Sequence, residues 1–344
     1  MVERKIKLLH QPNLHGFEYG MLYDFEASIA GLQNAELLVA PKSPWPIPIA
    51  CRLLPVTKYR MLHGISPKWA NPVEADEIWS ILMGPEAYPL WHYRSWANKV
   101  GKSVLYLFDT LRHQLSTIKK LLIATKWDDL ITSFPMSVPL LENATGRKWR
   151  SIPQAVDLNR FYPLQEDTEP TIAFSSYGRR LPKVHDALLR LCSRRKLHYD
   201  YSISSSLSPS VSSTENYDIY AWHLRQSWFN VCWPVETTNP ERAAGFSPLT
   251  CRWFEAAASG ATVIGDSPLD PTMKRCFGDN FVEKIDYQST SANIEDQLED
   301  LWVRRRSLKT IRRSLHRDNS QMWSWKNRVL DILHRRCWFR QTLV

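Results

Sequence analysis

Glycine is scarce in this chain of 344 residues, which has 12 glycines against 22 prolines. The shortage excludes collagen-like repeats, glycine-rich linkers and a composition rich in nucleotide-binding glycine fingerprints. Long apolar runs are also missing, and the chain has no stretch of about 18 apolar residues that could cross a bilayer. The first residues, MVERKIKLLHQPN, do not match a secretory signal, because the apolar run after the charges is too short. We therefore expect a cytoplasmic protein.

The six cysteines include no CxxC pair, so neither a disulfide framework nor a zinc site is predicted and the thiols are expected to be free. Lysine and arginine total 44 against 35 acidic residues, which gives a net charge of +9. Because 44% of residues are hydrophobic and 23% are charged, the chain is expected to fold. The positive charge suits nucleic acid, anionic lipid surfaces or phosphorylated ligands, and it does not choose between them.

Two series of short apolar runs alternate with helical segments, which is typical of parallel sheets covered by helices. The predicted strands are Lys5–Leu9, Ala35–Ala40, Glu77–Met83, Val104–Phe108, Leu130–Ser133, Thr171–Ser175, Tyr199–Ile203, Ser227–Val231, Ala261–Gly265 and Phe281–Glu283. The predicted helices include Ile118–Thr125, Lys183–Arg195 and Arg252–Ser259. Neither pattern persists over Ser151–Leu164, the predicted linker. The fold class is therefore α/β, with two Rossmann-like, doubly wound domains facing a cleft.

The segment 251–266 combines a helix of small residues, an ending at Gly260 and a buried strand. The loop 243–249 before it would deliver backbone amides to the start of the helix, where the helix dipole favours an anion. A well-packed helix–strand unit without a ligand is the alternative. A second segment, Ser202–Ser213, holds eight serines and is predicted to be a surface loop without a role.

Two segments resemble a known family. The segment 252–260, RWFEAAASG, resembles the R-x-F-E-A-x-A-x-G signature of GT-B glycosyltransferases of the family-four kind, especially their spore-maturation-protein-like branch. The segment 151–161, SIPQAVDLNRF, is similar to the P-x-G-V-D-x-x-x-F segment that joins the two domains of those enzymes. The resemblance implies an acceptor domain over 1–155, a nucleotide-sugar donor domain over 156–317, and a terminal helix over 318–344 that crosses back to the first domain.

The activity implied by the resemblance is transfer of a hexosyl unit from a nucleotide-diphosphate sugar to an acceptor hydroxyl, with retention of configuration and without a metal or other cofactor. The partners would be the nucleotide sugar and an acceptor that the sequence does not name. Two alternatives stay open. One is a catalytically inactive protein that binds nucleotide sugars, and the other is a basic nucleic-acid-binding protein, although no nucleic-acid-binding module is recognisable.

The segment 176–183, SYGRRLPK, is similar to the family's G-R-x-x-x-x-K segment. The glycine of the pattern corresponds to Gly178, and either Arg179 or Arg180 would hold the donor diphosphate together with Lys183. Cations at the end of a strand can neutralise a departing diphosphate, which agrees with this role. A solvated basic turn is the alternative.

Glu255 matches the family's glutamate that holds the ribose of the donor nucleotide. Arg252 belongs to the same signature, and the backbone of Gly245, Phe246 and Ser247 would face the phosphate and sugar. Eight positions before Glu255 the family usually has a second glutamate, but this chain has Ser247. That departure leaves open the identity of the sugar, whether its anomeric configuration is retained, and whether the chain transfers it at all.

In the first domain, Gly16 lies in the loop after the first strand and suits a close approach of backbone to the donor phosphate. His15 would orient an acceptor hydroxyl, unless it is a surface residue. Asp109 follows the strand VLYLF and would activate the acceptor, unless it caps the helix that starts near Leu111. His63 is a further candidate without a discriminating context.

Seven cations lie within 304–317 at helical spacing, which suits an anionic surface at the inner face of a membrane, a nucleic acid backbone or simply solvent. The segment 316–330 resembles the family's terminal segment, with Trp325 and Arg328 in its W-x-x-R positions. Trp323 and Trp325 are predicted to be core residues.

Overall fold

The structure, a computed structural model, divides the chain into two compact units. One unit comprises residues 1–14, 26–152 and 331–344, and the other comprises residues 15–25 and 153–330. The structure describes residues 5–10, 19–33, 35–39, 75–84, 100–124, 127–202, 212–336 and 338.

The first unit contains a parallel sheet of six strands in the order β2-β1-β3-β4-β5-β6. The strands are β1 (Ile6–His10), β2 (Glu36–Val39), β3 (Ala75–Leu82), β4 (Val100–Leu107), β5 (Asp129–Thr132) and β6 (Arg150–Ser151). The last five residues of both β3 and β4 are buried. Such continuous apolar runs are expected of strands that are buried on both faces. Ile78, Leu105 and Trp127 belong to this core.

The second unit contains a parallel sheet of five strands in the order β11-β10-β9-β7-β8. The strands are β7 (Ile172–Tyr177), β8 (Tyr199–Ser202), β9 (Ser227–Cys232), β10 (Thr262–Gly265) and β11 (Glu283–Lys284). Gly265 has a φ of +128°, and a Cβ built there would overlap the carbonyl oxygen of Cys232. Only glycine therefore allows β10 to end this close to β9.

The helices of the described chain are numbered in order. They are α1 (Gly20–Gln33), α2 (Leu115–Ala124), α3 (Val138–Thr145), α4 (Pro182–Arg195), α5 (Ser213–Arg225), α6 (Val235–Thr238), α7 (Pro240–Ala243), α8 (Cys251–Ala258), α9 (Pro271–Phe277), α10 (Ser291–Asn319) and α11 (Trp325–Leu333).

The α/β class is confirmed, and each of the ten predicted strands overlaps an observed one. Two boundaries were wrong. Ser151 belongs to β6 rather than to the linker, because it pairs with Thr132 of β5. Ser213 begins α5 rather than ending a loop, because the Ser212 hydroxyl accepts the Glu215 amide at 3.3 Å and caps the helix. Residues 203–211 of the serine-rich segment lie outside the described residues.

The basic stretch 304–317 lies in α10, and six of its seven cations contact groups of the second unit. Arg306 pairs with Glu169 at 2.9 Å, and Lys309 donates to the Thr168 carbonyl at 2.7 Å. The other four are Arg304, Arg305, Arg312 and Arg313. Much of this charge is thus used within the unit, and an anionic membrane partner stays a prediction. Among the helices of the described chain, none is long and apolar enough to span a membrane.

Trp323 and Trp325 are each 1% exposed, which confirms them as core residues. The Trp323 indole donates to the Cys276 carbonyl at 2.8 Å, and Trp325 stacks on Phe25 at 4.3 Å between ring centroids. The four described cysteines, Cys192, Cys232, Cys251 and Cys276, form no disulfide, and Cys51 and Cys337 lie outside the described residues.

Candidate functional site

The loops after β7, β9 and β10 lie at one edge of the second sheet, because these parallel strands are neighbours. In open parallel sheets this is the edge where ligands bind. Gly178 follows β7, and Asp266 follows β10. Most of the predicted donor-binding residues belong to these loops or to the segment 245–255.

Gly178 and Arg252 are brought together in the structure. Gly178 has a φ of +87°, and a Cβ built there would overlap the Arg252 guanidinium. Glycine therefore lets this cation lie against the backbone at the end of β7. Burial raises the pKa of the Cys232 thiol to about 12, and the charge of Arg252 opposes that rise. The field of Arg252 thus extends to the end of β9.

The other predicted cations face different neighbours. Arg179 is exposed. The Arg180 guanidinium lies 4.9 Å from the ring centroid of Tyr201, and its Nη1 is buried without a hydrogen-bond partner among the described residues. Lys183, in the first turn of α4, donates to the Ser289 carbonyl at 3.0 Å. Arg180 and Lys183 are therefore held by separate contacts. That both bind one diphosphate stays a prediction.

The loop before α8 uses several of its amides internally. Gly245 is exposed with a φ of +87°, whereas Phe246 and Ser247 are buried. The Leu249 amide donates to Asp270 at 3.1 Å, and the Cys251 amide donates to the Gln154 side chain at 2.6 Å. Of the first-turn amides of α8, those of Arg252 and Trp253 are the candidates for an anion.

Glu255 lies in α8 and is 2% exposed. Its Oε1 accepts a hydrogen bond from the Tyr217 hydroxyl, and its Oε2 accepts one from Tyr220 at 3.0 Å. Burial raises the pKa of Glu255, and the hydrogen bonds from the two tyrosines oppose that rise. A ribose at this carboxylate would share its oxygens with these hydroxyls.

Glu236 is a candidate that the sequence analysis missed. It lies in α6, beyond the end of β9, and its Oε1 accepts a hydrogen bond from the Ser247 hydroxyl. Burial raises the pKa of Glu236, the Ser247 hydrogen bond opposes the rise, and the nearby charge of Asp266 adds to it. An acidic residue shortly after the predicted strand Ser227–Val231 was the available signal.

In the first unit, Asp109 is half-buried after β4, and its amide donates to the Met83 carbonyl at 2.9 Å. It does not cap the following turn, whose N-cap is Leu111 with Gln114 as its side-chain partner. The predicted residues His15, Gly16 and His63 lie outside the described residues. Among the described residues, no group of histidine, cysteine and acidic side chains is placed to hold a metal ion.

Solved structures supply the comparison. A sucrose-phosphate synthase from Thermosynechococcus elongatus is 13% identical and aligns over 96% of this chain and 98% of its own, with a TM-score of 0.57. The fold is GT-B. CalG4, the calicheamicin glycosyltransferase, is 13% identical over 97% of this chain and 98% of its own, with a TM-score of 0.44. No protein-family model and no curated protein matches the chain.

Proposed function

We propose that the chain is a glycosyltransferase that moves a hexosyl unit from a nucleotide-diphosphate donor to an acceptor hydroxyl. Its GT-B fold, shared with a protein named as a sucrose-phosphate synthase, supports sugar transfer as the class of reaction. The observation that carries the proposal is the Arg252 guanidinium held against Gly178, at the edge of the second sheet where open parallel sheets generally bind ligands.

In this proposal the diphosphate binds beside Arg252, with Arg179 or Arg180 and Lys183 as further cations. A guanidinium presents a planar fork that matches phosphate oxygens. Fixed cations stabilise the charge that develops as the diphosphate departs. Protein cations can supply the charge neutralisation that a metal would otherwise give, and we therefore propose a reaction without a metal or other cofactor.

Glu255 is proposed to bind the ribose of the donor nucleotide. A carboxylate has about four acceptor positions, and the two tyrosines and the Cys251 thiol use three of them, so one position remains for a ribose hydroxyl. On the acceptor side, Asp109 is proposed to accept the proton of the attacking hydroxyl as a general base. The outcome of transfer, retention at the anomeric carbon, stays part of the proposal.

Isothermal titration calorimetry with UDP, GDP and ADP and with their sugar derivatives tests the proposal. We expect saturable binding of at least one nucleotide, and a tenfold or greater loss of affinity in Arg252→Gln, equivalent to about 1.4 kcal/mol. Arg195→Gln is the control. Arg195 lies in the last turn of α4, at the opposite end of that helix from Lys183, and it pairs with Glu299.

Three outcomes count against parts of the proposal. If no nucleotide binds the wild type, the class of function is wrong. If Arg252→Gln binds like the wild type, Arg252 is not part of the donor site. If nucleotide sugars bind but release no nucleoside diphosphate with any acceptor or with water, the alternative of an inactive sugar-nucleotide-binding protein is favoured.

A further inference from the structure

Ser247 stands where the resemblance expects a glutamate, and a carboxylate from the helix α6 contacts it. The Leu269 amide donates to Ser247 Oγ at 2.7 Å, and the Ser247 hydroxyl donates to Glu236 Oε1. Ser247 is 3% exposed. Because the amide fixes one side of the hydroxyl, the hydroxyl proton is directed to the carboxylate.

The second carboxylate oxygen of Glu236 has no hydrogen-bond donor within the described chain. Glu236 Oε2 is buried, and no described group forms a hydrogen bond with it. A buried carboxylate oxygen without a donor is unfavourable, and a ligand hydroxyl would satisfy it. Because Asp266 adds negative charge nearby, a neutral hydroxyl donor suits this oxygen better than an anion does.

The location agrees with the donor sugar as that ligand. Glu236 lies beyond the end of β9, and Asp266 lies directly after the neighbouring β10. Ser247 belongs to the loop that enters α8, and α8 carries Arg252 in its first turn. A donor whose diphosphate binds Arg252 carries its sugar directly on that diphosphate, and the loop with Ser247 adjoins the same helix.

We infer that Glu236 binds a hydroxyl of the donor sugar through Oε2, and that Ser247 is a positioning residue that fixes this carboxylate. The inference rests on the proposed function, since it assigns the sugar subsite of the same donor site. The family glutamate at position 247 is replaced here by a pair of residues, Glu236 in α6 and Ser247 in the loop before α8, which explains how a serine can stand at that position in a working site.

The test compares the affinity for a nucleotide sugar with the affinity for its nucleoside diphosphate. In Glu236→Gln we expect the nucleotide sugar to lose at least tenfold in affinity, while the nucleoside diphosphate changes less than twofold. Ser247→Ala is expected to act in the same direction, and Ser247→Thr, which keeps the hydroxyl, is expected to restore most of the loss. The paired exchange of Glu236→Ser with Ser247→Glu is expected to recover preference for the sugar nucleotide.

Glu241→Gln is the matched control, because Glu241 is exposed on the adjacent α7. Thermal unfolding identifies variants that do not fold, and Ser247→Ala then carries the test without any change at Glu236. An unchanged ratio of the two affinities in both variants overturns the inference, as does an equal loss for both ligands. A wild type that binds no nucleotide contradicts the proposed function instead, and the inference falls with it.

Discussion

Gly20 lies where α1 meets Tyr217, and no side chain fits between them. A Cβ built at Gly20 would overlap the Cβ and ring of Tyr217. The Tyr217 hydroxyl donates to Glu255, and its ring packs edge-on against Phe161 with 5.0 Å between centroids. Tyr217 therefore has little room to move aside without disturbing Glu255 at the candidate site.

Replacing Gly20 by alanine is expected to lower the free energy of unfolding by about 1–3 kcal/mol, the usual cost of overpacking a filled core. Helix propensity alone would give the opposite sign, because alanine is the better helix former. Urea denaturation followed by circular dichroism measures the change.

Gly31 in the same helix provides the matched control. It is exposed, and a Cβ built there meets no atom within 4 Å. Gly31→Ala is therefore expected to raise the free energy of unfolding by about 0.5–1 kcal/mol. Should both replacements stabilise the chain, the contact with Tyr217 does not restrict position 20.

Glu236 shows why site residues are harder to predict than strands. The family spacing of eight positions before Glu255 leads to Ser247 and not to an acidic residue. The carboxylate that contacts Ser247 belongs instead to α6, and α7 intervenes between the two along the chain. A spacing rule holds within one segment, whereas this pair depends on how α6 and the loop before α8 fold against each other.

At the scale of elements, continuous burial made the strands predictable and buried acids concealed a helix. The residues of β7 and β9 are buried throughout, so their runs of strand-forming residues stand out in the sequence. α1 was not predicted because Asp24 and Glu26 interrupt its apolar face. Both acids are buried and pair with distant residues: Arg160 binds Asp24 at 2.9 Å, and His10 contacts one carboxylate oxygen of Glu26, Oε2, at 2.6 Å.

The helix α10 presents basic residues in two different settings. Arg312 is 3% exposed, pairs with Glu283 at 2.9 Å and lies 5.0 Å from the ring centroid of Phe281. Arg306 pairs with Glu169 at the same distance of 2.9 Å, but both side chains are more than half exposed. The sequence shows only a row of cations. Packing decides which of them contributes most to the free energy of unfolding.

We expect Arg312→Ala to lower the free energy of unfolding by about 3 kcal/mol, because it leaves Glu283 without its close partner and removes a buried side chain. Arg306→Ala is expected to cost at most about 1 kcal/mol, since water and salt screen an exposed pair. Urea denaturation of both variants makes the comparison. Equal losses would show that burial does not distinguish these arginines.

At the scale of the whole molecule, the alternation of strands and helices predicted the α/β class and the two sheets. It did not predict the contact of Gly178 with Arg252, or the tyrosines on Glu255, because these join residues that the chain separates widely. Folding also places ionisable groups in the interior, and their protonation affects the stability of the whole chain.

Among the described residues, burial raises the pKa of Asp24, Glu26, Glu236, Glu255 and Asp270. The pKa of Asp24 rises to about 7, although Arg160 opposes the change. Each such carboxyl keeps its proton to higher pH in the folded chain than in the unfolded chain. Its contribution to stability is complete below the unfolded pKa and is lost as pH rises towards the folded pKa. Burial lowers the pKa of His316, which acts in the opposite sense.

Glu255→Gln isolates one of these groups. Glutamine has nearly the same shape and can still contact both tyrosine hydroxyls, but it does not titrate. The free energy of unfolding of the wild type minus that of Glu255→Gln is therefore expected to fall as pH rises above 4.5, the ordinary value for a glutamate. The slope is at most about 1.4 kcal/mol per pH unit. Urea denaturation at a series of pH values between about 4 and 8 measures it.

Glu215→Gln gives the control of opposite sign. Hydrogen bonds from the hydroxyl and backbone amide of Ser212 lower the pKa of Glu215, so its contribution is present above pH 4.5 and is lost as pH falls. The difference in free energy of unfolding between the wild type and this variant should rise with pH. It should then level off, because Glu215 is ionised in both the folded and the unfolded chain. If the Glu255 difference also rises with pH, the carboxyl is charged in the folded chain. Stabilisation by the tyrosine hydroxyls and Arg252 would then outweigh its burial.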